Sequence, residues 1–226
     1  MKLSRPYNFR RPADAPPKSW YRIANVAADS VEIGLYDEIG MYGVSASDFV
    51  SELQAVDTGR ITLRINSPGG DVFDGLAILN SLRNHRAVID VVVDGLAASA
   101  ASFIAQAGDT VKMSPNSVMM IHEASGVCLG NASDMRELAD LLDKTSANIA
   151  NIYSRRSGRS AEEHRAAMRD ETWYTDREAV DAGLADSVIG SVTDKTPVVV
   201  NDVPGIIESP VFNWNPEEFR RAFEGG

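Results

Sequence analysis

Cysteine is almost absent from this chain, since Cys128 is the single one among 226 residues. An intrachain disulfide is therefore excluded, which fits a reducing compartment. No apolar run is long enough to cross a bilayer, so the sequence predicts no transmembrane helix and no membrane partner. Residues 1–12, MKLSRPYNFRRP, lack the apolar stretch of a signal peptide. The expected location is the cytoplasm.

Positive charge is also scarce. The chain has 22 lysine and arginine residues against 32 aspartate and glutamate residues, which gives a net charge of −10. Because nucleic-acid binding needs clustered basic side chains that face phosphates, no nucleic-acid partner is expected. The one basic cluster, residues 5–11, is short and lies in a proline-rich arm that we interpret as solvated. Apolar residues make up 44% of the sequence, an ordinary share for a globular protein with a core.

Strand and helix patterns alternate along most of the sequence. Strands are predicted at 19–26, 31–37, 60–66, 87–94, 109–113, 117–122 and 184–190, and helices at 45–56, 73–84, 97–107, 132–155, 161–170 and 175–183. This order predicts an α/β fold with a mostly parallel sheet and helices on its faces. The predicted helix 132–155 carries an apolar stripe, which is typical of a buried face. Helix-to-helix contact between subunits is the alternative.

The alanine-rich segment 95–108, GLAASAASFIAQAG, contains a candidate nucleophile. Ser99 follows the predicted strand 87–94 and is expected in the first turn of the next helix, where free N–H groups lie. Small neighbours would let a substrate backbone approach its hydroxyl. The alternative is a helix that simply packs tightly on the sheet. Ser102 is expected to face the core, and the absence of G-x-S-x-G argues against a standard α/β-hydrolase turn.

A serine hydroxyl needs a base, and the chain offers only three histidines. His85 and His164 lie in polar, charged surroundings and are predicted to be solvated. His122 follows the apolar strand SVMMI and precedes a loop, which is where α/β proteins place their sites. A buried structural histidine is the alternative interpretation.

Two adjacent glycines follow the strand RITLRI in the segment NSPGGD, residues 66–71. A turn of this kind exposes backbone N–H groups, which could stabilise an oxyanion and align an extended substrate. The alternative is a tight strand-to-helix connection. The segment lacks the pattern of a phosphate-binding loop.

Three segments in this order, NSPGGDVFDG, GLAASAASFIAQAG and PNSVMMIHEASG, together with EAVDAGLADSVI, resemble the ClpP-like serine peptidases. The resemblance covers about 31–190. It implies an α/β fold with a repeated β-β-α spiral core, shared with the crotonases, and a protruding long helix, or handle. It leaves 1–30 as an N-terminal arm with a short strand pair and 191–226 as a tail rich in proline and aromatic residues.

The resemblance also implies roles for individual residues. Ser99 matches the nucleophile and His122 the general base, while Gly70 and Ala100 match the residues whose N–H groups form the oxyanion hole. The family's catalytic aspartate aligns with Glu171, a departure from the pattern, and the neighbouring Asp170 is the fallback.

The resemblance implies an extended peptide or protein substrate that lies along Gly69, Gly70, Glu123 and Ala124 as an added strand. No metal or cofactor is implied. Family members form homo-oligomers, commonly heptameric rings stacked in pairs, and the same assembly is expected here.

Finer features, among them KSWYRI and YDEIGMYGVSASDF, resemble the phage-encoded branch, the head maturation or prohead proteases. They imply an ATP-independent peptidase that processes capsid or scaffold proteins in the host cytoplasm. The alternatives are a housekeeping subunit that works with an AAA+ unfoldase, and a catalytically weak structural ring. A Ser–Lys peptidase and an acyl-CoA enzyme are less consistent with the motifs.

Overall fold

A computed structural model describes the backbone of residues 23–27 and, with their side chains, residues 30–40 and 43–190. The proline-rich part of the N-terminal arm and the 191–226 segment lie outside these residues, so the predictions made for them stay predictions. So does the proposed division into three segments. No helix in the described ranges is long and apolar enough to span a membrane.

Strands and helices alternate along the described residues much as the sequence predicts. In chain order the strands are β1 Ile23–Ala27, β2 Ser30–Leu35, β3 Arg60–Ser67, β4 Val88–Ala98, β5 Thr110–Met113, β6 Val118–Ile121, β7 Thr172–Thr175 and β8 Ser187–Val188. The helices are α1 Ala46–Ala55, α2 Val72–Arg83, α3 Ala100–Ala105, α4 Ala132–Ser157, α5 Ala161–Arg169 and α6 Asp176–Asp181.

Side-chain caps fix where several helices begin. Ser45 caps α1 by accepting a hydrogen bond from the N–H of Asp48. Asn131 opens α4 with a capping box, in which Asn131 and Asp134 each accept a hydrogen bond from the other's N–H. Each cap satisfies N–H groups that a helix leaves unpaired at its start, so the cap position sets the helix register.

The strands form one sheet whose main path runs β1-β2-β3-β4-β5-β8. From β2 to β8 every neighbouring pair on this path is parallel, while β1 joins β2 antiparallel. Parallel pairing requires crossover connections, and helices supply several of them. The α/β architecture with a mostly parallel sheet, predicted from the sequence, is confirmed.

Strand β4 is longer than predicted and has two partners on one side. Residues 90–93 pair with β5, and residues 96–98 pair with β6, both in parallel. The sequence analysis ended this strand at residue 94, because GLAASAA favours a helix by composition. Pairing with β6 keeps the segment extended through Ala98, so α3 is shorter than the predicted helix 97–107.

Strand β7 was missed by the sequence analysis. It pairs antiparallel with β6, and its four residues alternate between half-buried and exposed side chains. A four-residue strand gives little periodic signal between two helices, and only its partner shows it to be a strand. Strand β8, predicted to span 184–190, is confined to Ser187–Val188.

The prediction that His164 is solvated is wrong, since only 3% of the residue is exposed. His164 and Met168 lie one turn apart on the buried face of α5. The His164 Nε2 atom lies 2.6 Å from the hydroxyl oxygen of Ser157, and its ring centroid lies 5.8 Å from that of Tyr153. Packing against α4 therefore places a histidine in the core where the charged neighbours EEHR suggested a surface.

Protein stability should depend on pH through His164. Burial, with a smaller effect of Arg159, lowers the pKa of His164 below its ordinary value of 6.5. The unfolded chain then binds the proton more readily, so the free energy of unfolding should fall as pH drops from 6.5 toward the lowered pKa. Urea denaturation at about pH 7.5 and about pH 5.5 should show a smaller loss of stability for His164→Gln than for the wild type.

Above the ordinary histidine pKa, the stability difference between the two proteins should stay constant, because His164 is neutral in both states there. An equal loss of stability in both proteins below that pKa would contradict the assignment to His164.

Candidate active site

Ser99 occupies a sharp corner between β4 and α3. Its backbone angles are φ 52° and ψ −121°, outside the helical region, so Ser99 precedes α3 instead of lying in its first turn as predicted. A non-glycine residue in this region costs about 1–3 kcal/mol and persists only where its surroundings hold it. The Ser99 N–H donates to the carbonyl oxygen of Met120 at 3.0 Å. Strand β6 therefore holds the corner from one side.

His122 follows the last residue of β6, and its Nε2 atom lies 2.7 Å from the Ser99 hydroxyl oxygen. The two segments meet because β4 and β6 run parallel with Ala98 opposite Met120. Both side chains are partly exposed at the carboxyl ends of their strands. A serine at hydrogen-bond distance from an imidazole is typical of serine hydrolases.

The glycines after β3 pass close to the Ser99 corner. Gly69 has a φ of +88°, and a Cβ placed on it would lie 2.5 Å from the Ala98 carbonyl oxygen and 2.7 Å from the Ala100 nitrogen. Backbone atoms cannot yield to such contacts, so only glycine fits here.

Gly70 follows Gly69 beside this corner, and its N–H has no acceptor within the residues that the structure describes. Ile39 donates to the Gly69 carbonyl oxygen and accepts from the Asp71 N–H, both at 2.8 Å, which skips the Gly70 N–H. Within the described residues, the Ala100 N–H at the start of α3 also has no acceptor. Both residues line the cleft that holds Ser99 and His122. Two unpaired donors beside a serine hydroxyl can accommodate a negatively charged oxygen.

The carboxylates predicted to complete the site, Asp170 and Glu171, lie just before β7. Thr172 pairs with Ile121, the residue before His122, whereas Glu171 has a φ of 47° and lies outside the strand. The Glu171 side chain accepts a hydrogen bond from the Trp173 indole N–H at 3.3 Å. Neither Glu171 nor Asp170 shares a hydrogen bond with His122 in this structure, within the ranges it describes.

The segment after His122 is held by contacts with α4 and α5. The Ala124 N–H donates to the Ser146 hydroxyl at 2.9 Å. The Glu123 carboxylate accepts from the Arg165 guanidinium at 2.5 Å, and Arg165 also donates to the carboxylate of Asp143 at 2.8 Å. The predicted substrate-contact residues Glu123 and Ala124 therefore line the cleft on an anchored segment.

The cleft has a volume of about 430 Å³, and apolar side chains form much of its lining. Those from α3 and α4 are Phe103, Leu138, Leu141, Leu142 and Ile149. The sequence analysis treated the α4 stripe as a buried face or a subunit contact and missed its place in the site. The apolar stripe was the only signal of this role in the sequence. The structure adds that the first half of the stripe is too exposed for a core helix, since Met135 is 53% exposed.

Comparison with known proteins identifies the family. The family model for Clp protease matches residues 16–192. The ATP-dependent Clp protease proteolytic subunit 1 of Protochlamydia amoebophila is 32% identical over 198 residues, which cover 84% of this chain and 95% of that protein. Proteolytic subunit 3 of Streptomyces coelicolor is 31% identical over 75% of this chain and 79% of its own length. A proteolytic subunit of Bacteroides fragilis is 32% identical over 69% of this chain and 80% of its own length.

The chain belongs to the Clp protease family of serine endopeptidases. Its α/β fold, with the parallel sheet described above, is the fold expected for that family.

Replacing Gly69 with alanine should damage the site beyond the cost of its backbone conformation. Gly158, at the end of α4, is the matched control: its φ is +72°, but a Cβ there meets nothing within 4 Å. Gly158→Ala should cost about 1–2 kcal/mol of stability and leave Ser99 reactive. Gly69→Ala should cost more and slow labelling of Ser99 by a fluorophosphonate at least about tenfold, because the Ser99 corner must move.

Urea denaturation and the rate of fluorophosphonate labelling measure the two effects. Equal stability losses and equal labelling rates in the two variants would show that the close approach of Gly69 to the corner does not matter.

Proposed function

We propose that the chain cleaves peptide bonds through an acyl-enzyme formed on Ser99. The observation that carries this proposal is the 2.7 Å separation between the Ser99 hydroxyl oxygen and His122 Nε2. Ser99 Oγ attacks the substrate carbonyl carbon while His122 takes its proton. The tetrahedral intermediate collapses, and His122 gives that proton to the departing amine. A water molecule, activated by His122 in turn, then hydrolyses the ester and frees Ser99.

The oxyanion of the intermediate is bound by the N–H groups of Gly70 and Ala100. Both are free of acceptors within the described residues and line the same cleft. Donors fixed before the reaction stabilise the developing charge without reorganisation, which makes this one of the largest contributions to the rate.

Glu171 serves as the third member of the catalytic group. For Nε2 to accept the serine proton, His122 must carry its own proton on Nδ1, and a carboxylate there stabilises the imidazolium that forms. Glu171 is supported over Asp170 because it directly precedes Thr172, the residue paired with Ile121 next to His122. Its carboxylate must leave the Trp173 indole to reach the ring.

The substrate is an extended peptide with an apolar side chain before the scissile bond. The backbone of Gly69 and Gly70 on one side and the segment Glu123–Ala124 on the other flank the peptide. The apolar side chains that α3 and α4 contribute to the cleft support the side-chain preference.

Covalent labelling with a fluorophosphonate tests these roles. Ser99→Ala should abolish the adduct, and His122→Ala should reduce the labelling rate by about a thousandfold or more. Glu171→Gln should reduce it by about tenfold to a thousandfold, since the ring keeps its place but loses the carboxylate charge. Mass spectrometry of the digested protein locates the adduct.

Asp170→Asn is the matched control for Glu171→Gln and should label at nearly the wild-type rate. An adduct on a residue other than Ser99, or one that does not need His122, would overturn the assignment. No adduct on the folded wild-type protein would favour the structural ring.

The active form is a homo-oligomer, a heptameric ring or a stack of rings. Exposed apolar side chains support burial between copies: Val127 is 93% exposed, Leu129 96% and Met135 53%. Val127 and Leu129 lie on the loop before α4, and Met135 lies on its first turn. Helix α4 corresponds to the predicted helix 132–155, which the family resemblance implies to be the handle.

The finer part of the proposal is that the enzyme works without an unfoldase and processes phage capsid or scaffold proteins. Its support is the sequence of residues 1–30, whose proline-rich beginning does not resemble the axial hairpin and helix of the family's bacterial housekeeping members. The names of the relatives support the alternative, because they describe ATP-dependent proteolytic subunits. The two assignments differ in their requirement for ATP.

Purified protein should cleave an unfolded protein substrate without ATP or any partner, and Ser99→Ala should not. Addition of a bacterial Clp unfoldase with ATP should not enable cleavage of a folded, tagged substrate. Degradation of that folded substrate only when unfoldase and ATP are present would establish the housekeeping alternative. Gel electrophoresis of time-course samples distinguishes these outcomes.

A further inference from the structure

A chain of buried hydroxyls leads from α4 to the backbone of Ser99. The Ser102 hydroxyl, fully buried in α3, donates to the Ser99 carbonyl oxygen at 2.5 Å. The Tyr153 hydroxyl oxygen lies 2.7 Å from Ser102 Oγ. Ser102 has one hydroxyl proton and gives it to a carbonyl that can only accept, so Tyr153 must be the donor to Ser102. The hydrogen bonds therefore run in one direction, from Tyr153 through Ser102 to Ser99.

The series of hydrogen bonds ends on one half of a peptide group, whose other half is the N–H of Ala100, a residue that lines the cleft. The Ser99 carbonyl and the Ala100 N–H belong to the same planar unit, so fixing one fixes the direction of the other. The Ser102 N–H also donates to the Ser99 carbonyl oxygen, at 3.0 Å. With the Ser99 N–H held by Met120, the peptide groups on both sides of the corner are constrained.

The same bonds should strengthen the Ala100 N–H as a donor. Hydrogen bonds in a chain polarise one another, and a carbonyl that accepts a proton makes the N–H of its own peptide group more positive. Burial raises the pKa of Tyr153 above its ordinary value, so its hydroxyl keeps its proton under all working conditions. Tyr153 is only 1% exposed, so water does not compete for the hydrogen bonds between Tyr153, Ser102 and Ser99.

We propose that Ser102 and Tyr153 are positioning residues that orient the Ala100 N–H and strengthen it as an oxyanion donor. The inference rests on the proposed function, since it needs an oxyanion at that N–H. The same hydrogen bonds connect the Ser99 corner to α4, a helix that contributes apolar side chains to the cleft.

The alternative is that these hydroxyls only satisfy one another within the core. The two possibilities differ in what they affect. An oxyanion donor acts on the transition state and leaves the binding of the ground state unchanged, whereas loose packing would lower stability and disturb binding.

Fluorophosphonate labelling of the full-length protein separates the maximal inactivation rate from the half-saturating probe concentration. Tyr153→Phe removes one oxygen and should lower the maximal rate about threefold to thirtyfold, with little change in the half-saturating concentration. Ser102→Ala should lower it further, to at most the roughly hundredfold to thousandfold loss that follows removal of an entire oxyanion donor.

Ser117→Ala is the matched control. Ser117 is nearly as buried as Ser102 and its hydroxyl donates to the Ser114 carbonyl oxygen at 2.8 Å, but it is not among the residues that line the cleft. Ser117→Ala should label at nearly the wild-type rate. The double variant Ser102→Ala/Tyr153→Phe should be no slower than Ser102→Ala alone, because Tyr153 acts only through Ser102.

Labelling of both single variants at the rate of Ser117→Ala would overturn the inference, and so would additive losses in the double variant. Wild-type labelling of Ser99 in the same experiment shows that the proposed function stands independently. Absence of wild-type labelling, or labelling that survives Ser99→Ala, would overturn the function and the inference with it.

Discussion

The parallel pairing of β6 with the last residues of β4 is the interaction on which the site depends. It keeps residues 96–98 extended although their composition favours a helix, and it lets Met120 accept the Ser99 N–H. The same register carries His122 past the end of β6 to the serine hydroxyl. Strand β4 can pair with β6 because it extends beyond β5, which pairs only with residues 90–93.

Close backbone approach is the second constraint at the site. Gly69 fills a space where any side chain would meet the backbone on both sides of Ser99. This contact brings the loop after β3 against the start of α3. Two residues from different elements, Gly70 and Ala100, whose N–H groups have no acceptor in the described part of the chain, therefore line one cleft. The strain at Ser99 is thus held by contacts from β6, from the glycine turn and from within α3.

Helix α4 serves the site in two ways. Its first half contributes leucines to the cleft, and its second half packs in the core through Ile149, Ile152 and Tyr153. Because Tyr153 bonds to Ser102, a displacement of this helix would reach the Ser99 peptide as well as the substrate pocket. Ser146 of α4 and Arg165 of α5 also contact the segment after His122, so both helices are connected to the site.

Sequence alone determined the α/β class, most strands and helices, and the choice of Ser99 and His122 as candidates. Those features depend on local periodicity, capping side chains and residue types, which a sequence displays directly. The glycine pair after β3 was likewise recognisable, because adjacent glycines after a strand indicate a turn with exposed N–H groups.

Tertiary structure decided the features that depend on a distant partner. Strand β7 and the extension of β4 exist because β6 pairs with both, and no local pattern encodes that pairing. His164 is buried by α4 despite its charged neighbours. The direction of the Glu171 carboxylate, toward Trp173, and the hydroxyl chain from Tyr153 likewise follow from packing between elements far apart in sequence. Sequence fixes which groups are available, whereas the strand register and helix packing determine which of them come within hydrogen-bond distance.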